Sequence, residues 1–217
     1  MILLSLVVLS PLNLTALPEI ESFSQLGGLA VKELLVGVLI GLVFRLLFFG
    51  VYTAGSMVSY QIGFAIVTVF DTNLSNQVAI IGRFWYFLAM LVFLAIDGHH
   101  LVITAFADSY GVIPPGAVPM KGAIGTMLIK YSAYVFVIAL KIASPIMISL
   151  FLTDVALGVI AKTMPTMNVF FVGFPIKITV GLAVMAISLP VFAFIMQKTA
   201  WFLDEQMQLL LMAMGEA

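Results

Sequence analysis

The stretch "LAVKELLVGVLIGLVFRLLFFGVYTAGSMVSYQIGFAIVTVF", Leu29 to Phe70, holds 42 residues, of which only Lys32, Glu33 and Arg45 are charged. As a continuous helix it would be about 63 Å long at 1.5 Å per residue. A bilayer's hydrocarbon core is only about 30 Å thick. The run is therefore either two helices or one long helix that leaves the lipid. Gly50, Gly55 and Gly63 offer places to bend.

Composition points the same way. The 217-residue chain is 63% hydrophobic and only 9% charged, with a mean hydropathy of +1.23. Soluble domains carry about 25% charged residues, so this chain cannot supply a polar surface. It is expected to be an all-α integral membrane protein. The net charge of −1 leaves no nucleic-acid footprint. Cysteine is absent, which removes disulfides, thiolate metal sites and cysteine nucleophiles.

Outward from Leu29, the N-terminal apolar stretch Met1 to Leu17 lacks the basic start of a signal peptide and reads as a first or truncated membrane helix. A polar joint, Pro18 to Gly28, follows it. On the other side the turn "DTNLSN", Asp71 to Asn76, closes the long run. A third helix is expected from Gln77 to Ala107, a fourth run from Ala123 to Lys162 with a kink at Pro145, a short piece from Thr166 to Pro175, and a last run from Ile176 to Met214 holding Pro190. Prolines in such helices are tolerated where neighbours re-satisfy the freed carbonyls. Runs both longer and shorter than a standard span describe helices packed mainly on protein.

"DSYGVIPPGAVPMKGAIG", Asp108 to Gly125, is rich in Gly and Pro and cannot be a continuous helix. It is apolar where a solvent-exposed linker would be polar, and irregular backbone at membrane depth is allowed only where it is buried in protein or lines a cavity.

Arg45, Lys130, Lys141 and Asp154 lie inside helical runs. Each would cost about 2.5–3.5 kcal/mol at a bilayer centre, so they should face partner helices, an aqueous lumen or the headgroup layer. Lys130 fits interfacial snorkelling. Lys141 lies four residues before Pro145, within reach of backbone groups freed at the kink. Asp154 needs a donor, as a structural partner or as a proton carrier.

"DGHH", Asp97 to His100, contains both histidines of the chain. Neighbouring residues of a helix point about 100° apart, so His99 and His100 cannot chelate one ion from a helical backbone. A helix interruption at Gly98 is the expected reading, with no metal site. No nucleophile elbow, Walker A or H-E-x-x-H motif occurs, so no catalytic residue and no cofactor is assigned. "GVLIG", Gly37 to Gly41, is a G-x-x-x-G suited to close helix packing. Thirteen methionines supply compliant apolar surface.

Three blocks, "KELLVGVLIGLVFRLLFFGVYTAGSMVSYQIGFA", "AIDGHHLVITAFADSY" and "DVALGVIAKTMPTMNVFFVGFPIKITVGL", together resemble the FliR family of flagellar export-gate proteins, whose counterpart in virulence type III secretion is SctT. The resemblance covers nearly everything from Lys32 onward, and "NVFFVGFPIKI" after DGHH is its most specific part. It implies one membrane domain over residues 1–217, lacking part of the family's N-terminal helical segment. Its long kinked helices and helical hairpins would be packed in a hetero-oligomeric helical gate with FliP-like and FliQ-like subunits, FlhB and FlhA. It implies a bacterial inner-membrane location in the flagellar basal body, partly protruding toward the periplasm, and passage of unfolded export substrates. The family's pore plug falls on Tyr110, Gly111, Val112, Ile113, Pro114, Pro115, Gly116, Val118 and Pro119. Met120, Met164 and Met167 become candidates for a lumen seal. Gly37, Gly41, Phe170, Phe171, Gly173, Phe174 and Pro175 become candidates for subunit packing, and Arg45, Lys141 and Asp154 for buried charges. The alternatives are an injectisome gate subunit and a secondary transporter.

Overall fold

The computed structural model describes residues 23–64, 80–113 and 122–215. Among them are five helices and no strand: α1 Phe23–Ile62, α2 Ile80–Ala95, α3 Gly98–Val112, α4 Gly122–Thr163 and α5 Val169–Gly215. The all-α fold expected from composition is the observed one. α1, α4 and α5 are each long and apolar enough to cross a membrane, and α2 with α3 would make a fourth span if the pair is one broken span.

The long apolar run is one helix to Ile62. Gly63, at φ 103, ends it. The Gly63 N–H donates to the Tyr60 carbonyl at 3.1 Å and the Phe64 N–H to the Ser59 carbonyl at 3.1 Å, the paired bonds of a glycine-terminated helix. Gly50 and Gly55, expected as bends, lie within the helix and serve contact instead. A Cβ on Gly50 would meet Ile138 Cβ at 3.2 Å, and one on Gly55 would meet Gly82 Cα at 2.5 Å.

The run expected from Gln77 to Ala107 is two helices, bent by 70° at the break. Asp97 takes a left-handed backbone, φ 57 and ψ 25, ahead of Gly98. A side chain on Gly98 would collide with the Phe93 ring, so the break needs glycine there.

One further expectation is corrected. The piece expected from Thr166 to Pro175 is helical from Val169 and continues with the run from Ile176 as the single 47-residue α5, with Pro175 and Pro190 inside it. The two prolines remove two backbone bonds from a ladder of this length, and the apolar flanks carry the helix through. The C-terminal part of α5 is a core element: Ala200, Leu203, Met207, Leu210, Leu211 and Met214 are buried at helical spacing.

At Pro145 a serine hydroxyl meets a freed carbonyl. Proline offers no N–H to the Lys141 carbonyl. The Ser144 hydroxyl donates to that carbonyl instead, at 3.3 Å.

The chain divides into two compact units, and α1, α4 and α5 each supply a segment to both. One unit comprises residues 1–47, 93–134 and 199–217. Its core joins Val36, Ile40, Val43 and Leu47 of α1 to Ala105, Tyr131 and the buried face of α5. Here the Tyr131 hydroxyl donates to the Gln206 carbonyl at 3.1 Å. The other unit comprises residues 48–92 and 135–198. Its core holds Val51, Ala54 and Val58 of α1, Trp85 of α2, Ile138, Ile146 and Leu150 of α4, and Phe192 of α5.

Candidate functional site: a charged clasp beneath an aromatic recess

In the second unit one carboxylate ties three helices. Asp154 stands on α4 among Phe151, Leu152 and Val155, all exposed. Its Oδ1 is ion-paired with Lys177 Nζ of α5. Its Oδ2 accepts from Gln61 Nε2, near the end of α1, at 3.3 Å. The donor that Asp154 requires is thus Lys177, assisted by Gln61. The side chains of Lys177 and Asp154 are 23% and 36% exposed, so the pair is sheltered without being sealed. Such a pair is held by geometry and by the penalty for leaving either charge alone.

Small residues lie where the three helices approach. A Cβ on Gly181 of α5 would stand 2.7 Å from Ile62 Cδ1, and one on Gly173 would stand 3.0 Å from Leu157 Cδ1. Beside the clasp lies an open recess of about 320 Å³ lined by Ile62, Gly63, Leu157, Gly158, Phe170, Gly173 and Phe174, with Asp154 and Lys177 on its wall. Phe174 meets Phe64 edge-on, ring centroids 6.2 Å apart. A recess with apolar walls and one charged end can take an amphipathic group, or an apolar side chain from a neighbour.

Of the residues expected to pack subunits, Gly173 is buried and Phe174 and Pro175 are on the same stretch of α5, Phe174 half-buried and Pro175 exposed. Phe170 and Phe171 are 57% and 73% exposed. Gly37 makes an ordinary contact, 3.9 Å from a built Cβ to Phe106 Cε1, and a Cβ on Gly41 would meet nothing within 4 Å among the described residues. Met164 is exposed and Met167 half-buried at the α4–α5 turn, where the Met167 N–H donates to the Met164 carbonyl at 3.1 Å.

The three charges expected to be buried divide. Asp154 is sheltered; Arg45 and Lys141 are exposed on the chain itself. Each sits on the outer side of a helix whose opposite side already fills a core, so the chain's own packing leaves them outward.

The irregular loop begins later than its composition suggests. Tyr110, Gly111 and Val112 complete α3. Ile113 is extended, caps the helix through its N–H to the Ser109 carbonyl at 2.8 Å, and is 6% exposed. Ile113 is therefore anchored in its own unit. Pro114, Pro115, Gly116, Val118, Pro119 and Met120 lie outside the described residues. An open recess of about 430 Å³ lined by Asp108, Gly111, Val112, Gln208, Leu211 and Met212 adjoins the end of α3.

Sequence reasoning missed Gln61 and Lys177. Lys177 is the single charged residue in "NVFFVGFPIKITVGL", and that isolation was the available signal. It also missed how the break before α3 gathers the Asp97, His99 and His100 donors: one from each lies within 4.8 Å of the others.

The family model for bacterial export proteins, family 1, matches residues 1–201. The chain is 34% identical to the flagellar biosynthetic protein FliR of Bacillus subtilis (strain 168) over 91% of this chain and 78% of that protein. It is 34% identical to FliR of Pectobacterium carotovorum subsp. carotovorum over 83% of this chain and 67% of that protein. Against FliR of Escherichia coli (strain K12) the identity is 30%, over 76% of this chain and 63% of that protein. Matched along most of its length in this way, the chain belongs to the FliR family of bacterial export proteins.

Proposed function

We infer that this chain is a core subunit of the flagellar type III export gate, working without catalysis as part of the conduit and plug for unfolded flagellar proteins. The observation that carries the reading is the family match over residues 1–201. The helices support it physically. Only 17% of the most apolar window of α5 is buried within the chain, and 39% in α1 and α4. Surfaces of this kind must be covered by lipid or by other helices.

The partners we assign are FliP-like and FliQ-like subunits, with FlhB and FlhA nearby, in the bacterial inner membrane and partly toward the periplasm. The flagellar names of the relatives favour flagellar over injectisome service. In this reading Tyr110 to Ile113 hold the root of the plug, and Pro114 to Pro119 are its tip.

Removing Pro114 to Pro119 leaves α3 and the buried Ile113 in place, so it separates plug from scaffold. Co-purification with FliP-like and FliQ-like subunits should persist while small-ion leak through the membrane rises. Intact assembly with unchanged leak would overturn the plug assignment. Failure to co-purify the undeleted chain with those subunits would overturn the gate assignment.

A further inference from the structure

We propose that Asp97, His99 and His100 form a binding site for a divalent transition-metal ion of the zinc or nickel type, at the break between α2 and α3.

The objection to such a site is that consecutive residues of a helix diverge. The backbone answers it. Asp97 is not helical; it takes the left-handed conformation, φ 57 and ψ 25, which few residues other than Gly, Asn and Asp adopt readily. That turn carries the carboxylate back over the first turn of α3. Asp97 Oδ1 lies 3.6 Å from His100 Nδ1. The His99 and His100 rings lie 4.2 Å apart at 37°. One donor atom from each of the three residues lies within 4.8 Å of the other two.

Zinc binds imidazole nitrogen and carboxylate oxygen at about 2.0–2.2 Å, which puts neighbouring donors roughly 3–4 Å apart. The cluster is therefore open by about an ångström relative to a coordinated one. The side chains of His100 and Asp97 are 64% and 75% exposed, so both can turn inward without disturbing the core.

Two observations mark these groups as available. Asp97 stands at the N-cap position of α3 yet makes no side-chain cap hydrogen bond, so its carboxylate is not occupied by the helix. His99 Nδ1 is buried with no hydrogen-bond partner among the described residues. An unpartnered buried ring nitrogen is an anomaly in a folded chain, and coordination at the ring would account for the donor set being gathered here.

The donor set selects the ion class. Two imidazoles and one carboxylate suit zinc, nickel or copper, whereas calcium and magnesium require oxygen ligands throughout. Three protein ligands leave at least one position open, for water or for a side chain from a neighbouring subunit. Bound there, the ion would hold Asp97 against the first turn of α3.

The test uses the full-length untagged chain in detergent, stripped with a chelator and titrated with Co2+, whose visible absorption reports imidazole and carboxylate coordination. The chain has only two histidines and no cysteine, so histidine-dependent binding reports this cluster. One Co2+ per chain should bind saturably and be displaced by Zn2+. Affinity should fall at least tenfold in His100→Ala and in Asp97→Asn, where Asn retains the left-handed turn. Equal affinity in His100→Ala and the unsubstituted chain would mean an adventitious ion only, and the site would be refuted. A second measurement needs no variant. Saturating Zn2+ should protect both histidines from acylation by diethylpyrocarbonate, and absence of protection would also refute it.

Discussion

Gly55 of α1 and Gly82 of α2 meet backbone to backbone: a Cβ on Gly55 would stand 2.5 Å from Gly82 Cα, 2.8 Å from its nitrogen and 2.9 Å from the Ile81 carbonyl oxygen. None of these atoms is the mobile end of a side chain, so a methyl group can enter only by moving a helix. Close approach through small residues is how apolar helices gain dispersion contact where burial from water offers nothing. Gly55→Ala should destabilise the chain by about 1–3 kcal/mol, the usual range for overpacking. Thermal unfolding in detergent reads this out.

Gly41 provides the contrasting case. Among the described residues, nothing lies within 4 Å of a Cβ built there. Gly41→Leu should leave the melting of the isolated chain unchanged within about 0.5 kcal/mol, as expected for an open surface position. If another subunit's helix packs on Gly41, the same substitution will reduce co-purification with that subunit. A drop in both stability and assembly would place Gly41 in the chain's own core.

Lys177→Ala should be more harmful than an exposed lysine substitution. Among the described residues it leaves the Asp154 carboxylate with the 3.3 Å bond from Gln61 alone. Surface pairs contribute about 0–1 kcal/mol, and breaking fully buried ones costs about 3–5 kcal/mol. At this intermediate shelter a loss of about 1–3 kcal/mol is expected. The exchange Asp154→Lys with Lys177→Asp should recover part of that loss. If the double variant is no better than the sum of its parts, the two residues act independently.

Trp85 is 1% exposed. Its ring meets Phe192 edge-on with centroids 4.3 Å apart, and its indole N–H donates to Met185 Sδ at 3.0 Å. Trp85→Ala should cost about 3–5 kcal/mol, as large core truncations do. Met185→Leu keeps the volume but strands the N–H, and should cost about 1–3 kcal/mol. Unfolding of both variants in detergent, compared with Trp85→Phe, separates the ring's packing from its hydrogen bond.

The fold class was legible because it depends on quantities a sequence displays directly. Runs of 40 apolar residues can only be helices at membrane depth, and Gly98 opens a new helix after a break. Tight contacts were less legible. The G-x-x-x-G at Gly37 and Gly41 drew attention by its spacing, whereas a tight backbone approach joins Gly55 to Gly82, two glycines in different helices with no local pattern. The clasp was half visible. Asp154 declared a need for a donor, but Pro175 suggested a helix boundary just before Lys177. Because the helix continues through Pro175, Lys177 sits on the same rod as Phe170 and Phe174 and reaches α4.

The Ser144 hydroxyl bonded to the Lys141 carbonyl at 3.3 Å has a mechanical consequence. A peptide N–H is fixed in its plane, but a hydroxyl can rotate away at small cost, so α4 carries a joint that can be loosened by one torsion rather than by unwinding a turn. A rod with such a joint can bend locally without losing a turn of helix.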